Sequence, residues 1–254
     1  MSTQNTPKNI WNAIFNEENA LALTIAFALI IVTVIGGNYY MNKKNTNDTL
    51  TVTGSARKEV VSDTVIWRTA VTRNVSFSGL KDGYTQMSRD VEIVKKFLQD
   101  NAVTSESITI QPITMNEDWN NNGPVAQEFK RYTLTQAIEI KSADVSGITE
   151  LAQRVGELIN QGVLFQSYGL EYYYTDLANL RVEMLSDAVA DAKARAKSMA
   201  RAGGQRVGSL QTASSGVVQV LSRGSVEVSD YGSYDTSKID KDVMVTVRAS
   251  FGVR

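Results

Sequence analysis

Four acidic residues in the C-terminal half of the chain, Asp176, Glu183, Asp187 and Asp191, are the first candidates for chemistry. Carboxylates at such density can hold a metal ion or supply a general acid and base. At helical spacing, however, Glu183 and Asp187 lie opposite the apolar side of their segment. Arg195 follows Asp191 by four residues, the separation of an ion pair on a helix surface. We therefore interpret the set as a solvated helix face.

Three consecutive tyrosines, Tyr172 to Tyr174, are the second candidate because aromatic rings can stack on a ligand. Successive residues of a strand point to opposite faces, so at least one of the three belongs to a core or an interface. The glycines Gly203, Gly204 and Gly208 do not form a dinucleotide-binding motif, because they end a helix and that motif opens one. We predict no cofactor and no catalytic or metal-binding residue.

The composition excludes several other kinds of site. The chain contains no Cys and no His, which removes thiol and imidazole catalysis, disulfides and the usual zinc sites. Its 26 Lys and Arg nearly balance 27 Asp and Glu, so no excess positive charge is available to bind nucleic acid. With 254 residues and 43% apolar composition, the chain is long enough to bury a substantial core.

The acidic residues must be positioned by one long helix that begins near Asp176. Its predicted apolar side comprises Val182, Leu185, Ala188, Val189, Ala192, Ala196 and Met199. Alanines cost no side-chain entropy in a helix and let its backbone lie close to whatever it covers, which predicts a sheet beneath the helix. Gly203 and Gly204 follow the last periodic residue and predict the end of the helix there.

Upstream of this helix, the elements from Val60 to Tyr174 follow the order strand, helix, strand, strand, helix, strand. That order predicts a ferredoxin-like βαββαβ layer whose helices cover one face, and the fold class is α+β. Pro112 interrupts the strand from Ser107 to Met115, which predicts a sheet edge or a bulge there. Further strands are predicted at Leu50–Ser55, Val207–Leu221 and Val243–Val253, with a loop at Ser222–Lys238.

An apolar segment precedes the folded part. Ala20 to Gly37 runs 18 residues without a charge, and as a helix it would be about 27 Å long, close to the hydrocarbon thickness of a membrane. We predict a transmembrane helix over residues 20–40, an N-terminal tail over residues 1–19 and a polar tether over residues 41–49. The small residues Ala22 and Ala26 are candidates for packing between such helices.

Signals flanking this segment bear on its fate and its orientation. Lys8 is the only early basic residue, Glu17 and Glu18 adjoin the apolar run, and no Ala-x-Ala site follows it, so an uncleaved anchor is favoured over a signal peptide. One basic residue, Lys8, precedes the segment and two, Lys43 and Lys44, follow it. Because the more basic side of a membrane span tends to be cytoplasmic, this count weakly places the C-terminal part in the cytoplasm.

Four places in the chain resemble the SIMPL-domain family of bacterial envelope proteins, and together they bracket Leu50–Arg254. They are Thr51–Ser55 (TVTGS) with Asp63 and Thr64, Arg131–Thr135 (RYTLT), Asp187–Gly208 and Val243–Phe251. The resemblance implies an exported, often periplasmic protein associated with envelope and oxidative-stress defence, some of whose relatives form ring-like or channel-like oligomers. It implies no catalytic residues. It also places the domain outside the cytoplasm, against the weak charge count.

Two functions of different class follow. The first is a single-pass protein of the bacterial inner membrane that is not an enzyme, with its C-terminal domain in the periplasm or outside. Its partners would be membrane lipid and further copies of itself, in a homo-oligomer for which a ring is one arrangement. Candidate contacts between copies are Tyr231 and Tyr234, in a loop rich in Gly and Ser, and Tyr173. The alternative is a carboxylate-based hydrolase or small-ligand-binding enzyme of the envelope, which needs paired groups in a concave site.

Overall fold

The computed structural model describes residues 17–44, 48–118, 126, 129–225, 229 and 231–254, with the side chains of 17–23 and 41–44 outside the description. The helices are α1 (Glu17–Lys44), α2 (Leu80–Asp100), α3 (Val145–Gln153), α4 (Gly156–Asn160) and α5 (Leu177–Ala202). The strands are β1 (Thr49–Val61), β2 (Thr64–Ser76), β3 (Ile108–Ile110), β4 (Thr114–Glu117), β5 (Arg131–Ser142), β6 (Phe165–Tyr173), β7 (Val207–Ser222), β8 (Ser233–Tyr234) and β9 (Asp240–Val253).

The strands form two sheets. One has the order β3-β5-β2-β6, with β4 also paired to β5, and its strand pairs are antiparallel. With α2 between β2 and β3, and α3 and α4 between β5 and β6, this is the predicted βαββαβ order. The other sheet has the order β1-β9-β7-β8. The expectation of mixed helices and sheets is confirmed, and the strands outside the layer form a separate sheet.

Strand β2 lies inside the first sheet, because it pairs with β5 on one side and β6 on the other. Its alternate residues Val65, Trp67, Thr69 and Val71 are buried, as their spacing predicts. The Trp67 ring meets the Phe165 ring edge-on, with 5.8 Å between ring centroids. This face of the sheet packs against apolar residues of α2, α3 and α4, so the predicted one-sided helix layer is confirmed.

The outer edge of the same sheet is interrupted at Pro112, as predicted. Strand β3 ends at Ile110 and β4 begins at Thr114, and both pair with β5. Proline has no N–H to donate to a strand ladder, so its place is at an edge or a break. The preceding residue, Gln111, still donates its backbone N–H to the carbonyl of Ala137 at 2.9 Å.

The chain divides into two compact units. The larger contains Thr53–Ala192 and Ser214–Arg248, and the smaller contains the described residues up to Val52 together with Lys193–Ala213 and Ala249–Arg254. The larger unit has a second core, in which α5 packs on the second sheet. Its buried residues are Leu180, Met184, Val220, Val243 and Val245.

Within the larger unit, β1 meets α5 at Gly54. A Cβ on Gly54 would lie 2.2 Å from the backbone oxygen of Ala188 and 2.4 Å from the backbone nitrogen of Ala192. Because no side chain fits in that space, glycine is required on the strand. Ala188 and Ala192 are themselves fully buried. The predicted close approach between the alanine side of the helix and a sheet is therefore confirmed.

The buried side of α5 is rotated relative to the predicted one. Its fully or almost fully buried residues are Leu180, Met184, Ala188, Ala192, Ala196 and Ala200. Val182 and Met199 were expected in the core, but their side chains are 71% and 54% exposed, so that part of the prediction was wrong. The sequence pattern weighted large apolar residues as core, whereas a helix that must lie close to a strand presents a row of small residues four apart.

Helix α1 covers the predicted transmembrane segment, although it begins earlier, at Glu17, and continues to Lys44. The side chains of residues 24–40, Ala26 included, are exposed, whereas Ala22 lies outside the residues whose side chains are described. Within the described part of the chain, no helix combines the length and apolar character that crossing a membrane requires. The tail before Glu17 and residues 45–47 of the tether also lie outside the described residues.

The contact at Gly54 generates a stability prediction. Gly54→Ala must displace the backbone of α5, and overpacking of this kind costs about 1 to 3 kcal/mol. The matched control is Gly156→Ala in α4, where a new Cβ meets no atom within 4 Å; alanine should there be neutral or stabilise by up to about 1 kcal/mol. Urea unfolding followed by far-UV circular dichroism measures both changes. Equal unfolding midpoints for the two variants would contradict the packing described at Gly54.

Candidate functional site

The acidic candidates on α5 do not converge on a site. Glu183 and Asp187 are exposed, and Glu183 pairs with the Lys58 ammonium at 2.8 Å. Asp191 is half-buried, and its Oδ2 accepts the backbone N–H of Ser55 in β1 at 2.8 Å. Among the described residues, no group of three or more His, Cys, Asp and Glu could hold a metal ion. The solvated-face interpretation is confirmed for Glu183 and Asp187, and Asp191 in addition binds the backbone of a strand.

The three tyrosines divide between the two faces of β6, as the strand alternation requires. Tyr172 is buried in the core, its hydroxyl lies 3.1 Å from the Thr149 hydroxyl, and its backbone N–H donates to Thr236 at 2.8 Å. Tyr173 points the other way and packs on Tyr234, with 5.6 Å between ring centroids. The expectation that one of the three is a core residue is confirmed.

The Tyr173 hydroxyl is part of a polar network on the surface of the first sheet. It donates to Oε2 of Glu171 at 2.7 Å, and Glu171 also pairs with Arg68. The hydrogen bond from Tyr173, followed by the contacts with Arg68, lowers the pKa of Glu171. The same bond to an acceptor carboxylate raises the pKa of Tyr173. The candidate contact Tyr173 is therefore held in place by its own chain.

Tyr234 is held in the same way. Its hydroxyl accepts the backbone N–H of Tyr174 at 2.9 Å, and the Lys241 ammonium lies 5.7 Å from its ring centroid. Lys241 is fully buried and donates to the backbone carbonyls of Asp235 at 2.5 Å and Lys238 at 2.7 Å. Burial lowers the pKa of Lys241, because leaving water disfavours the charged form.

The predicted loop Ser222–Lys238 is thus anchored to the rest of the chain near its end. It contains β8, which pairs in parallel with β7 at Gln219 and Val220. Tyr234 is 37% exposed, whereas Tyr231 is 96% exposed. Of the three tyrosines proposed as contacts between copies, Tyr231 is the one whose ring is free of the fold.

A cleft of about 690 Å³ lies beside this anchored loop. Its lining residues are Tyr172, Ser222, Arg223, Gly224, Ser225, Ser237, Lys238, Ile239 and Asp240. Asp240 is the single carboxylate among these described lining residues. The neighbouring Asp235 accepts from the Ser222 hydroxyl, and from the backbone N–H and hydroxyl of Ser237 at 2.8 and 2.7 Å.

Those hydrogen bonds lower the pKa of Asp235 to about 2, with the Ser222 bond the largest cause. A general base works best when its pKa lies near the operating pH, so a carboxylate this acidic is a poor base for activating the Ser222 hydroxyl. The cleft accordingly lacks, among its described residues, the paired carboxylates that the hydrolase alternative requires. Asp235 is better understood as the residue that closes the loop.

The outermost strands of the second sheet present the other candidate surface. Strand β8 covers β7 only at Gln219 and Val220. Along residues 207–218 of β7, no other strand of the described chain lies on that side. The side chains of residues 209–215 are all exposed. Strand β1 is outermost on the opposite side, where Asp191 already occupies the Ser55 N–H.

Sequence reasoning located β7 as a strand but missed its open edge. Alternation along a strand reports which faces are buried, and it carries no information about which neighbours lie beside it. The signal that could have suggested an exposed position is the polar run in its middle, QTASSG at residues 211–216. Such a run is typical of a strand that buries little of either face.

Asp235 generates a prediction about stability and pH. Its folded pKa of about 2 lies below the value near 3.9 of an unfolded aspartate. Its ionised form therefore stabilises the fold above about pH 4, and this contribution is lost as the pH falls towards about 2. Asp235→Asn should lower the thermal midpoint at neutral pH, and its difference from the natural chain should shrink in acid.

Thermal melts at neutral and acidic pH measure this difference. The control is Asp240→Asn, an exposed residue whose side chain makes no hydrogen bond with the described part of the chain. It should shift the midpoint little at either pH. A difference for Asp235→Asn that stays constant from neutral pH into acid would contradict the role given to its charge.

Comparison with known proteins places the chain in a family. No curated protein matches it. The model of the SIMPL family, described as "Protein of unknown function (DUF541)", matches residues 50–251. That match runs from the start of β1 to near the end of β9, and it includes the long helix, both sheets and the open edge of β7. The chain belongs to the SIMPL family.

Proposed function

We propose that this SIMPL protein is a membrane-anchored assembly protein of the bacterial envelope that works by joining copies of itself and not by catalysis. The observation that carries the proposal is the open edge of β7. An outermost strand presents a row of backbone N–H and C=O groups that can pair with a strand of another chain. Residues 209–215 offer such a row, and their side chains are exposed.

The opposite edge of the same sheet supplies a partner for it. Pairing β7 of one copy with β1 of the next uses two different surfaces, so the contact is heterologous, and it generates a ring when the rotation between copies closes. The Ser55 N–H of β1 donates to Asp191 and is not available to another chain. In the proposed contact, the other backbone groups along this edge of β1 pair with β7. Ring-like assembly, which the family resemblance implies for some relatives, is compatible with this arrangement.

The anchor proposal is based on α1. The uncharged run begins at Ala20, and residues 24–40 are the part of it whose side chains are described. Large apolar residues there, such as Phe27 and Ile35, are 67% and 64% exposed. A helix that is apolar on all sides is typical of a membrane span. Confinement to a plane raises the effective concentration of neighbouring domains and so favours weak edge pairing.

The enzymatic alternative has less support. A hydrolase built from carboxylates needs two of them facing one concave site. The cleft beside the anchored loop offers Asp240 alone among its described lining residues. Asp235, beside it, is engaged by Ser222 and Ser237. We therefore favour assembly, and the family resemblance supports a role for it in envelope and oxidative-stress defence.

The assembly proposal is tested with a chain that begins at Thr49 and so lacks α1. At micromolar concentration, light scattering after size exclusion should return a mass larger than a dimer. The double variant Thr212→Lys with Ser214→Lys places two positive charges on the open edge of β7. Because charged lysines on an edge strand obstruct its pairing with another strand, this variant should have a lower mass. The control, Thr85→Lys with Ser88→Lys, adds the same charge at exposed positions of α2 and should not.

Tyr231→Ala tests the loop, and it should also weaken the oligomer because this ring is exposed. A deletion of residues 225–236 would also remove Tyr234 and Asp235, which anchor the loop. The single substitution is therefore the sharper test. A monomer mass for the chain beginning at Thr49 would contradict assembly through the domain. If the two lysines on β7 leave the mass of the oligomer unchanged, the copies do not pair through the edge of β7.

Orientation is tested on the full chain in intact spheroplasts. External protease should remove residues 50–254, because the family resemblance places this domain outside the cytoplasm. A cytoplasmic marker protein in the same cells should survive, which shows that the membrane is closed. If the domain is degraded only after the membrane is opened, the proposed orientation is wrong and the lysine count around α1 indicated the correct one.

A further inference from the structure

We infer that the smaller unit carries a basic surface that docks on the anionic phospholipid headgroups of the membrane holding α1. The first observation is an uneven distribution of charge. The chain as a whole has a net charge of −1. Residues 193–213 and 249–254, however, contain no Asp or Glu, and their basic residues are Lys193, Arg195, Lys197, Arg201, Arg206 and Arg254. These two segments, with the N-terminal residues, make up the smaller unit.

Three of these cations converge on one cleft of about 440 Å³. It is lined by Lys197, Arg201, Gly204, Gln205, Arg206 and Val207. The side chains of Lys197, Arg201 and Arg206 are exposed, and none of the three forms an ion pair with another residue in the described part of the chain. Neighbouring cations without a counter-charge repel each other, so this cleft is complementary to an anionic group.

The turn after α5 is what brings the third cation back to the helix. Gly204 has a positive φ of 74°, and the backbone N–H of Gln205 donates to the carbonyl of Ala200 at 2.8 Å. This closed turn reverses the chain and places Arg206 beside Lys197 and Arg201. The helix dipole alone accounts for cations in the last turns of α5, but it does not account for Arg206, which lies beyond the helix.

Backbone bonds tie this basic surface to the tether. Arg206 and Arg254 exchange two backbone hydrogen bonds, of 2.7 and 3.0 Å, and the N–H of Val253 donates to Asp48 at 3.0 Å. Helix α1 ends at Lys44, four residues before Asp48. An extended chain spans at most about 3.6 Å per residue, which limits this separation to roughly 14 Å. If α1 spans the membrane, the surface cannot move far from the headgroups.

The partner that fits this place is a lipid headgroup. Basic residues held near an anionic membrane are attracted to it, and the attraction decays within a Debye length of about 8 Å in physiological salt. Lys43 and Lys44 at the end of α1 add to the same charge, while Asp48 opposes it. The inference rests on the proposed function, because the lipid surface is within reach only when α1 is an anchor.

The test uses the full chain reconstituted in lipid nanodiscs. The chain has no Cys, so Ser198→Cys, at an exposed position of α5, provides a unique site for a fluorescence donor, and the acceptor is attached to lipid headgroups. Energy transfer should be higher in discs containing phosphatidylglycerol than in discs of phosphatidylcholine alone. Lys197→Gln, Arg201→Gln and Arg206→Gln together should reduce transfer in the anionic discs to the neutral level.

A matched variant controls for net charge. Lys81→Gln, Arg89→Gln and Lys96→Gln together remove the same three charges from exposed positions of α2, and the difference between the two kinds of disc should persist. At about 1 M salt the Debye length falls to about 3 Å, and the difference in energy transfer between anionic and neutral discs should disappear. Unchanged far-UV circular dichroism of both triple variants shows that they are folded.

The outcomes separate this inference from the anchor proposal. A chain that enters the discs but shows transfer independent of lipid charge would overturn the docking surface and leave the anchor intact. A chain that does not enter the discs would overturn the anchor, and the docking surface with it. Abolition of the difference by inorganic phosphate at constant ionic strength would identify a free-phosphate site and overturn lipid docking.

Discussion

The close contact between Gly54 and the backbone of α5 is the constraint on which the rest of the larger unit depends. A helix lies this close to a strand only when both present minimal side chains, here a glycine facing Ala188 and Ala192. That short separation brings Asp191 within reach of the Ser55 N–H. Nearer the start of α5, the larger side chains Leu180 and Met184 pack in the core that the helix shares with the second sheet.

Buried polar groups hold the loop before β9 in one place. Lys241 has lost its contact with water, and a buried ammonium is tolerated only when carbonyls and aromatic rings replace that water. Asp235 and Lys238 supply the carbonyls, and Tyr234 supplies the ring. The same loop then contributes β8, a strand so short that it leaves most of the length of β7 without a neighbour on that side among the described residues.

Anchor, assembly edge and basic surface form one coherent proposal. Membrane proteins gain affinity for each other from confinement, so an edge that pairs weakly in solution can pair well when its copies share a plane. A basic surface near the tether would further restrict how each domain stands on the bilayer. Neither effect needs a catalytic group, which agrees with a chain that contains no thiol and no imidazole.

Local patterns in the sequence were sufficient for the elements and for the order of the βαββαβ layer. Alternation along β2 identified Val65, Trp67 and Val71 as core residues, and Pro112 identified the broken edge. These features depend on the spacing of nearby residues and on the chemistry of single residues, and both can be read from a short stretch of sequence. The alanines of α5 likewise predict a close contact, although they do not identify Gly54 as the residue that makes it.

Tertiary structure decided what depends on residues distant in the chain. The buried side of α5 was set by where Gly54 lies, so Val182 and Met199 face outward despite their apolar character. The role of Asp191 as acceptor for Ser55 likewise arises from a contact between residues 136 positions apart, which no local spacing encodes. The open edge of β7 is of the same kind, because an edge is a property of the sheet and not of the strand.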